Sequence, residues 1–218
     1  MNPGQWPTSE NTDGRTTFLS HALSLAAIHG ADPWPRGGNP LPDDDPGERT
    51  FLNSTVLDGI RTHHVAMDSE SPPATALADL ITEVAALSNT NTLAVLHDRL
   101  AEYRALDVAD DLARELRTRE VPAADLRSLA RRLLENGTRR NAVALGIVML
   151  GVAGDHRDRE LLLLLGSLED LTLYAAVALA NSQQNRDAAV YELAQRVDGW
   201  GRIHAVERLA GTCNAPRP

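Results

Sequence analysis

The chain has 218 residues, of which 43% are hydrophobic and only 4% aromatic, and its formal net charge is −9. All 21 basic residues are arginine, as GC-rich bacterial genomes tend to encode, which excludes a lysine Schiff base and a P-loop lysine. The one cysteine, Cys213, excludes an internal disulfide and a zinc site built from several cysteines.

The N-terminal region, residues 16–120, is predicted to be helical but irregular. Before it, residues 1–15 are polar and lack the apolar core of a secretory signal, which predicts a disordered tail. A helix is then expected over 17–29. The residues on its buried stripe are Phe18, Ala22, Leu23 and Ala26.

A long loop follows this first helix. Residues 30–47 contain nine glycines or prolines, which neither a helix nor a central strand tolerates. Trp34 stands between two prolines and is expected to anchor the loop on the helices. Apolar residues at helical spacing then predict further helices over 48–65, 75–87, 92–105, 108–117 and 123–135.

Residues 121–218 carry a repeated pattern. An Ala/Val/Leu-rich segment occurs three times, at 141–151, 173–181 and 203–211, with a spacing of about thirty residues. Self-similarity at this period is typical of stacked helical repeats. Helices are predicted over 139–152, 157–168, 171–182, 187–197 and 201–211.

Two sequences carry a family resemblance: LGIVMLGVAGDHRDRELLLLLG at 145–166 and EDLTLYAAVALA at 169–180. Together they resemble the short bacterial HEAT repeat of the phycobiliprotein-lyase type, over roughly residues 126–211. The resemblance implies an all-α, right-handed α-α superhelix, a HEAT/armadillo-like solenoid. It implies little about activity, since such repeats serve as scaffolds, adaptors, lyase subunits and binders of DNA lesions.

The resemblance also implies a polar ladder between repeats. The family often has an arginine early in the second helix that pairs with an aspartate. Arg140 and Arg202 match that position, with Asn136 and Asp198 as expected partners. The middle copy has Tyr174 instead, and we expect this residue to interrupt the ladder.

A basic segment stands out in this acidic chain. Residues 114–140 contain eight arginines against four acidic residues. They could line one surface that meets an anion, an acidic protein or a phosphate backbone, or they could pair with acids on the outer faces of their own helices. The candidate binding residues are Arg127, Arg131, Arg132, Arg139, Arg140, Tyr174 and Arg202.

No metal, cofactor or catalytic site is predicted. His64 with Asp68, the acidic run 43–45, and the turn 154–160 could each be considered as ligands, but each lacks a telling spacing. A surface pair, a solvated acidic loop and a charged helix start are the favoured interpretations. No Ser/His/Asp grouping and no glycine-rich phosphate loop is present in the sequence.

The sequence therefore favours a cytoplasmic, non-catalytic scaffold or adaptor that binds another protein. Alternatives are a nucleic-acid binder using residues 114–140, which the acidic, lysine-free composition disfavours, and a subunit of a lyase or other enzyme. The longest apolar run is too short to span a membrane. The last helix, with Trp200, Ile203, Val206 and Leu209, lacks an obvious polar cap. This predicts self-association through the C-terminal face, or a chain cut from a longer protein.

Overall fold

The computed structural model describes residues 15–44, 72–87 and 90–213. Over these ranges the chain forms α-helices and two short 3-10 turns, with no β-strand. The all-α class is therefore confirmed. The helices are α1 (Phe18–His29), α2 (Pro72–Leu87), α3 (Thr90–Ala101), α4 (Ala105–Thr118), α5 (Ala123–Asn136), α6 (Arg140–Ala153), α7 (Arg159–Gly166), α8 (Glu169–Ser182), α9 (Arg186–Gln195) and α10 (Gly199–Cys213).

The predicted helices that fall on described residues are found within a few residues of their expected bounds. The helix predicted over 48–65, the pair His64 and Asp68, and nearly all of the predicted tail lie outside the described ranges. In the described part of the chain, no helix is long and apolar enough to cross a membrane.

Local side-chain chemistry explains several helix boundaries. The hydroxyl of Thr17 accepts a hydrogen bond of 3.1 Å from the Ser20 amide and so caps the start of α1. The same helix ends at Gly30, whose φ of +66° is a left-handed value that glycine adopts without strain. Asn185 caps α9 by accepting a hydrogen bond of 3.2 Å from the Ala188 amide.

The C-terminal helices pack in a regular order. α4, α6, α8 and α10 each contact the next member of that series, and the consecutive helices α5–α6, α7–α8 and α9–α10 pack as pairs. The three copies of the repeated pattern fall on α6, α8 and α10. Their alanines and leucines form the centre of the core, because small side chains let helix backbones approach closely.

The first helix, α1, packs against both α5 and α7. Its first residue, Phe18, is fully buried, and the Phe18 amide donates a hydrogen bond of 2.9 Å to the carbonyl of Gly137. Leu23, expected on the buried stripe, is 52% exposed, so that prediction was wrong. The buried face of α1 is therefore narrower than its apolar residues predict.

The loop after α1, residues 30–44, lies as a strap along the helices. Trp34 and Leu41 are buried, as predicted for Trp34. The ring Nε2 of His21 lies 2.8 Å from the carbonyl oxygen of Gly38, which ties the strap to α1. Gly38 has a φ of +87°, and a Cβ there would lie 2.5 Å from the Leu168 side chain. Only glycine allows the strap to run this close to the start of α8.

The close packing of α7 gives a test of the core. In Gly166→Ala the new Cβ would lie 2.6 Å from the Cβ of Ala175, an atom that no rotation can move. We expect the free energy of unfolding to fall by about 1–3 kcal/mol, because overpacking outweighs the gain in helix propensity. Urea denaturation measures the change.

Gly146→Ala is the matched control for this test. There the nearest atom is the far end of the Leu134 side chain, at 2.9 Å, which can rotate away. The loss of stability should therefore be smaller than at Gly166. Equal stability of the two variants would contradict the packing described for α7.

Candidate functional site

Polar contacts join the starts of α4, α6, α8 and α10, and we call this set the N-terminal ladder. Between α4 and α6, the side-chain oxygen of Asn141 accepts a hydrogen bond of 3.3 Å from the Ala105 amide. Between α6 and α8, Nη1 of Arg140 lies 3.3 Å from Oδ1 of Asp170. Both contacts use groups in the first turn, where backbone amides lack helical partners and attract acceptors.

The last rung joins α8 to α10 through Glu169. Its Oε1 accepts a hydrogen bond of 3.1 Å from the Trp200 amide. Two glycines of positive φ flank this carboxylate: a Cβ on Gly37 of the strap would lie 2.5 Å from Glu169 Cβ, and one on Gly199 would lie 2.9 Å from its Oε1. Glu169 therefore fills a space that exists only because both neighbours lack a side chain.

The ladder corrects the prediction made for the middle copy. Tyr174 does not interrupt it, because Asp170 and Glu169, at the start of the same helix, supply the rungs. Arg140 contacts Asp170, and the side-chain amide of Asn136 donates a hydrogen bond of 2.8 Å to the carbonyl of Arg132. The helices α6, α8 and α10 begin at residues 140, 169 and 199, so Arg140 and Arg202 do not occupy equivalent positions in the repeats.

At the other end of the ladder, the predicted pair is present. Nη2 of Arg202 lies 2.9 Å from Oδ1 of Asp198. The Nε of Arg202 also donates hydrogen bonds of 3.2 and 2.9 Å to the carbonyls of Ala194 and Val197. Arg202 thus satisfies carbonyl groups at the end of α9 while its charge remains half-exposed.

Arg140 binds three carboxylates from two distant parts of the chain. Its amide and Nε donate to Asp43 at 2.8 and 3.1 Å, its Nη2 bonds to Asp44, and its Nη1 contacts Asp170. Burial alone lowers the pKa of Arg140, but the attraction of Asp43 and Asp170 and the hydrogen bonds to the strap carboxylates raise it above its ordinary value. Asp43 and Asp44 are thus ion-paired rather than simply solvated.

Asp170 is the acid of this cluster whose pKa departs from its ordinary value. Its side chain is only 2% exposed. Burial, with repulsion from Asp44 and Glu169, raises its pKa to about 6, against the opposing effects of Arg140 and of a hydrogen bond with Asn39. The group therefore changes protonation close to neutral pH.

A small cleft opens beside the cluster. Its volume is about 150 Å³, and it lies between the first turns of α4, α6 and α8. Arg104, Arg140, Asp170 and Tyr174 line it, together with apolar side chains. The cleft brings together two of the predicted binding residues, Arg140 and Tyr174.

A second buried cluster centres on Asp158, at the turn before α7. Its side chain is fully buried and accepts hydrogen bonds from Arg127 at 2.7 and 2.8 Å and from Arg131 at 2.8 Å. Burial raises its pKa, but the arginines and the Asp155 amide outweigh burial and hold the pKa of Asp158 below its ordinary value. Asp158 and Asp155 form a capping box for this turn.

Ion pairs continue from this cluster along the first helices of the pairs. Arg159, at the start of α7, bonds to Glu192 of α9 at 2.5 Å. Arg196 bonds to the other oxygen of Glu192 at 2.5 Å. These contacts lower the pKa of Glu192 against the effect of burial. Charged groups thus link α7 to α9 as well as α6 to α8.

The basic segment therefore does not form one open cationic surface. At least five of its eight arginines contact carboxylates of this chain. Arg132 lies on α5 and Arg139 directly before α6, and both are partly exposed. The arginines with carboxylate partners include Arg114, Arg119, Arg127, Arg131 and Arg140.

Among the described residues, no group of three or more His, Cys, Asp or Glu side chains could hold a metal ion. Comparison of the chain with protein-family models, with curated proteins and with solved structures finds no match.

One exposed apolar surface lies on α10. Ile203 and Val206 are 44% and 50% exposed, and we call them the α10 row. They lie one turn apart on one face of the helix. Leu209, which the sequence placed with them, is partly buried against the core. Trp200, which the sequence also placed on this face, is partly exposed, so among the described residues the row is the most exposed apolar part of the predicted C-terminal face.

Replacement of Asp158 tests the buried cluster. Asp158→Asn leaves two arginines without their shared carboxylate, and we expect a loss of about 2–4 kcal/mol in the free energy of unfolding at pH 7. The loss should shrink as the pH falls below the ordinary value of 3.8, because the depressed pKa makes the carboxylate stabilising only when ionised. Asp110→Asn, on the exposed side of α4, is the control and should change little.

Asp170 gives a pH dependence of the opposite sign. Because the pKa of Asp170 is raised, the folded chain holds a proton that the unfolded chain releases. The free energy of unfolding therefore falls as the pH rises from 3.8 to about 6. Asp170→Asn should remove this loss, which amounts to about 3 kcal/mol. Urea unfolding of both proteins at several pH values measures the difference. Parallel stability curves would contradict the burial of an ionisable Asp170.

Proposed function

We propose that the chain is a right-handed α-solenoid of the HEAT type that acts as a non-catalytic scaffold and binds another protein through the α10 row. The observation that carries the proposal is the exposure of Ile203 and Val206 on one face of α10, where Val206 stands at the position of the buried Ala176 of α8. The packing order, the register of the ladder and the pairing of the arginines support it.

The packing order supports the solenoid. In stacked helical repeats each repeat contacts its neighbours, and second helices form one continuous layer. The series α4, α6, α8 and α10 has this pattern, and the N-terminal ladder repeats a polar contact at each step. The position of α1 between α5 and α7 departs from a simple stack and agrees with an irregular N-terminal part.

The register of the ladder supports the α10 row as a docking face. α8 begins at Glu169 and α10 at Gly199, so Val206 corresponds to Ala176 of α8. Ala176 is fully buried, and Thr172, one turn earlier on that face, lies against Gly201 of α10. The α10 positions that correspond to Thr172 and Ala176 are Arg202 and Val206, and both side chains are about half exposed. A repeat with an apolar outer face needs a partner to cover it.

The pairing of the basic segment favours a protein partner over a nucleic acid. Binding to a phosphate backbone requires arginines that can replace counterions. Arg127 and Arg131 instead share one buried carboxylate. Arg140 contacts three carboxylates of this chain. The acidic net charge adds a repulsive term.

Site-specific photo-cross-linking in the native host tests the proposal. A benzophenone amino acid placed at Val206 should give an adduct with another protein chain, identified by mass spectrometry. Val95 of α3, which is 63% exposed and equally apolar, is the matched control and should give little adduct. No adduct at position 206, or equal yields at both positions, would contradict the proposed function.

A further inference from the structure

We propose that the α10 row is the interface of a two-fold symmetric dimer, in which α10 of one copy packs antiparallel on α10 of a second copy. This inference rests on the proposed function, because it names the partner that covers the row. It is based on the order of apolar and charged groups along one face of α10.

Four consecutive members of this face have a symmetric order. Arg202, Ile203, Val206 and Glu207 share one stripe of α10, because residues three and four apart are neighbours on a helix. The two apolar side chains stand in the middle. A cation stands on the N-terminal side and an anion on the C-terminal side, with exposed side-chain fractions of 48% and 52%.

This order is complementary to itself when reversed. A two-fold axis opposite the midpoint of Ile203 and Val206 sets Ile203 of one copy on Val206 of the other. The same axis places each Arg202 opposite the Glu207 of the other copy. In an isologous interface of this kind the two-fold axis repeats each contact. The apolar side chains meet at the centre, and a charged pair lies at each edge. A parallel arrangement would instead oppose like charges.

The neighbouring charges are compatible with this pairing. Arg202 already contacts Asp198, and Glu207 lies 3.9 Å from the ring of the buried His204. These contacts orient the two side chains while leaving about half of each accessible. Because one helix from each copy forms the contact, we expect weak association, with a Kd on the order of 10–100 µM.

A charge-swap experiment on the full chain tests the pairing. In a homodimer of Arg202→Glu, both opposed pairs consist of two anions. In a homodimer of Glu207→Arg, both consist of two cations. Each variant alone should associate about tenfold or more weakly than the wild type. An equimolar mixture of the two should recover a heterodimer, because every opposed pair is then attractive. Sedimentation velocity over a range that spans the wild-type Kd measures all three.

Two further variants keep the result interpretable. Arg202→Glu also loses the hydrogen bonds to the carbonyls of Ala194 and Val197, so circular dichroism checks its fold. Ile203→Asp changes an exposed side chain and should give a folded monomer. Val95→Asp, on α3, is its matched control and should dimerise as the wild type does.

Three outcomes would overturn the inference: a wild-type chain that stays monomeric, a dimer that Ile203→Asp leaves intact, or a charge-swapped mixture that does not associate. None of these removes the proposed function if the cross-link at Val206 joins the chain to a different protein. A cross-link to a second copy supports both proposals.

Discussion

Arg140 is the contact on which the arrangement of the C-terminal helices depends. One guanidinium holds two carboxylates of the strap and one of α8, while its amide starts α6. It thereby fixes the strap, the start of α6 and the start of α8 relative to one another. A planar group with several donors suits this role better than a point charge would. The buried Asp170 is kept in place by the same group that stabilises its charge.

The ladder and the α10 row are two results of one repeated geometry. At each step from α4 to α10 the next helix is positioned by a polar contact at its first turn and by small apolar residues further along. Polar contacts set the register, and apolar burial supplies most of the stabilisation. On α10 the position of the buried Ala176 of α8 carries the half-exposed Val206, with Ile203 beside it, so the surface left for a partner is apolar there.

Helix positions followed from the sequence because leucine and alanine recur at helical spacing within each segment. The charged contacts could not be predicted in this way. Asp43 and Arg140 are 97 residues apart, and nothing local relates a loop acid to a helix start so far along the chain. The sequence alone places Asp158 in a charged turn. Its capping-box spacing with Asp155 was the available signal, but burial depends on where α5 packs.

The position of α1 has a consequence for how the chain is made. α1 leaves the ribosome early, yet it packs on α5 and α7, which are synthesised much later. Its binding groove is incomplete until the end of α7, at Gly166, has emerged. During that interval α1 lacks at least one of the two helices on which it packs. Translation therefore produces the pair α5–α6 before α1 can dock on both of its partners, and we expect α1 to pack fully only once α7 has formed.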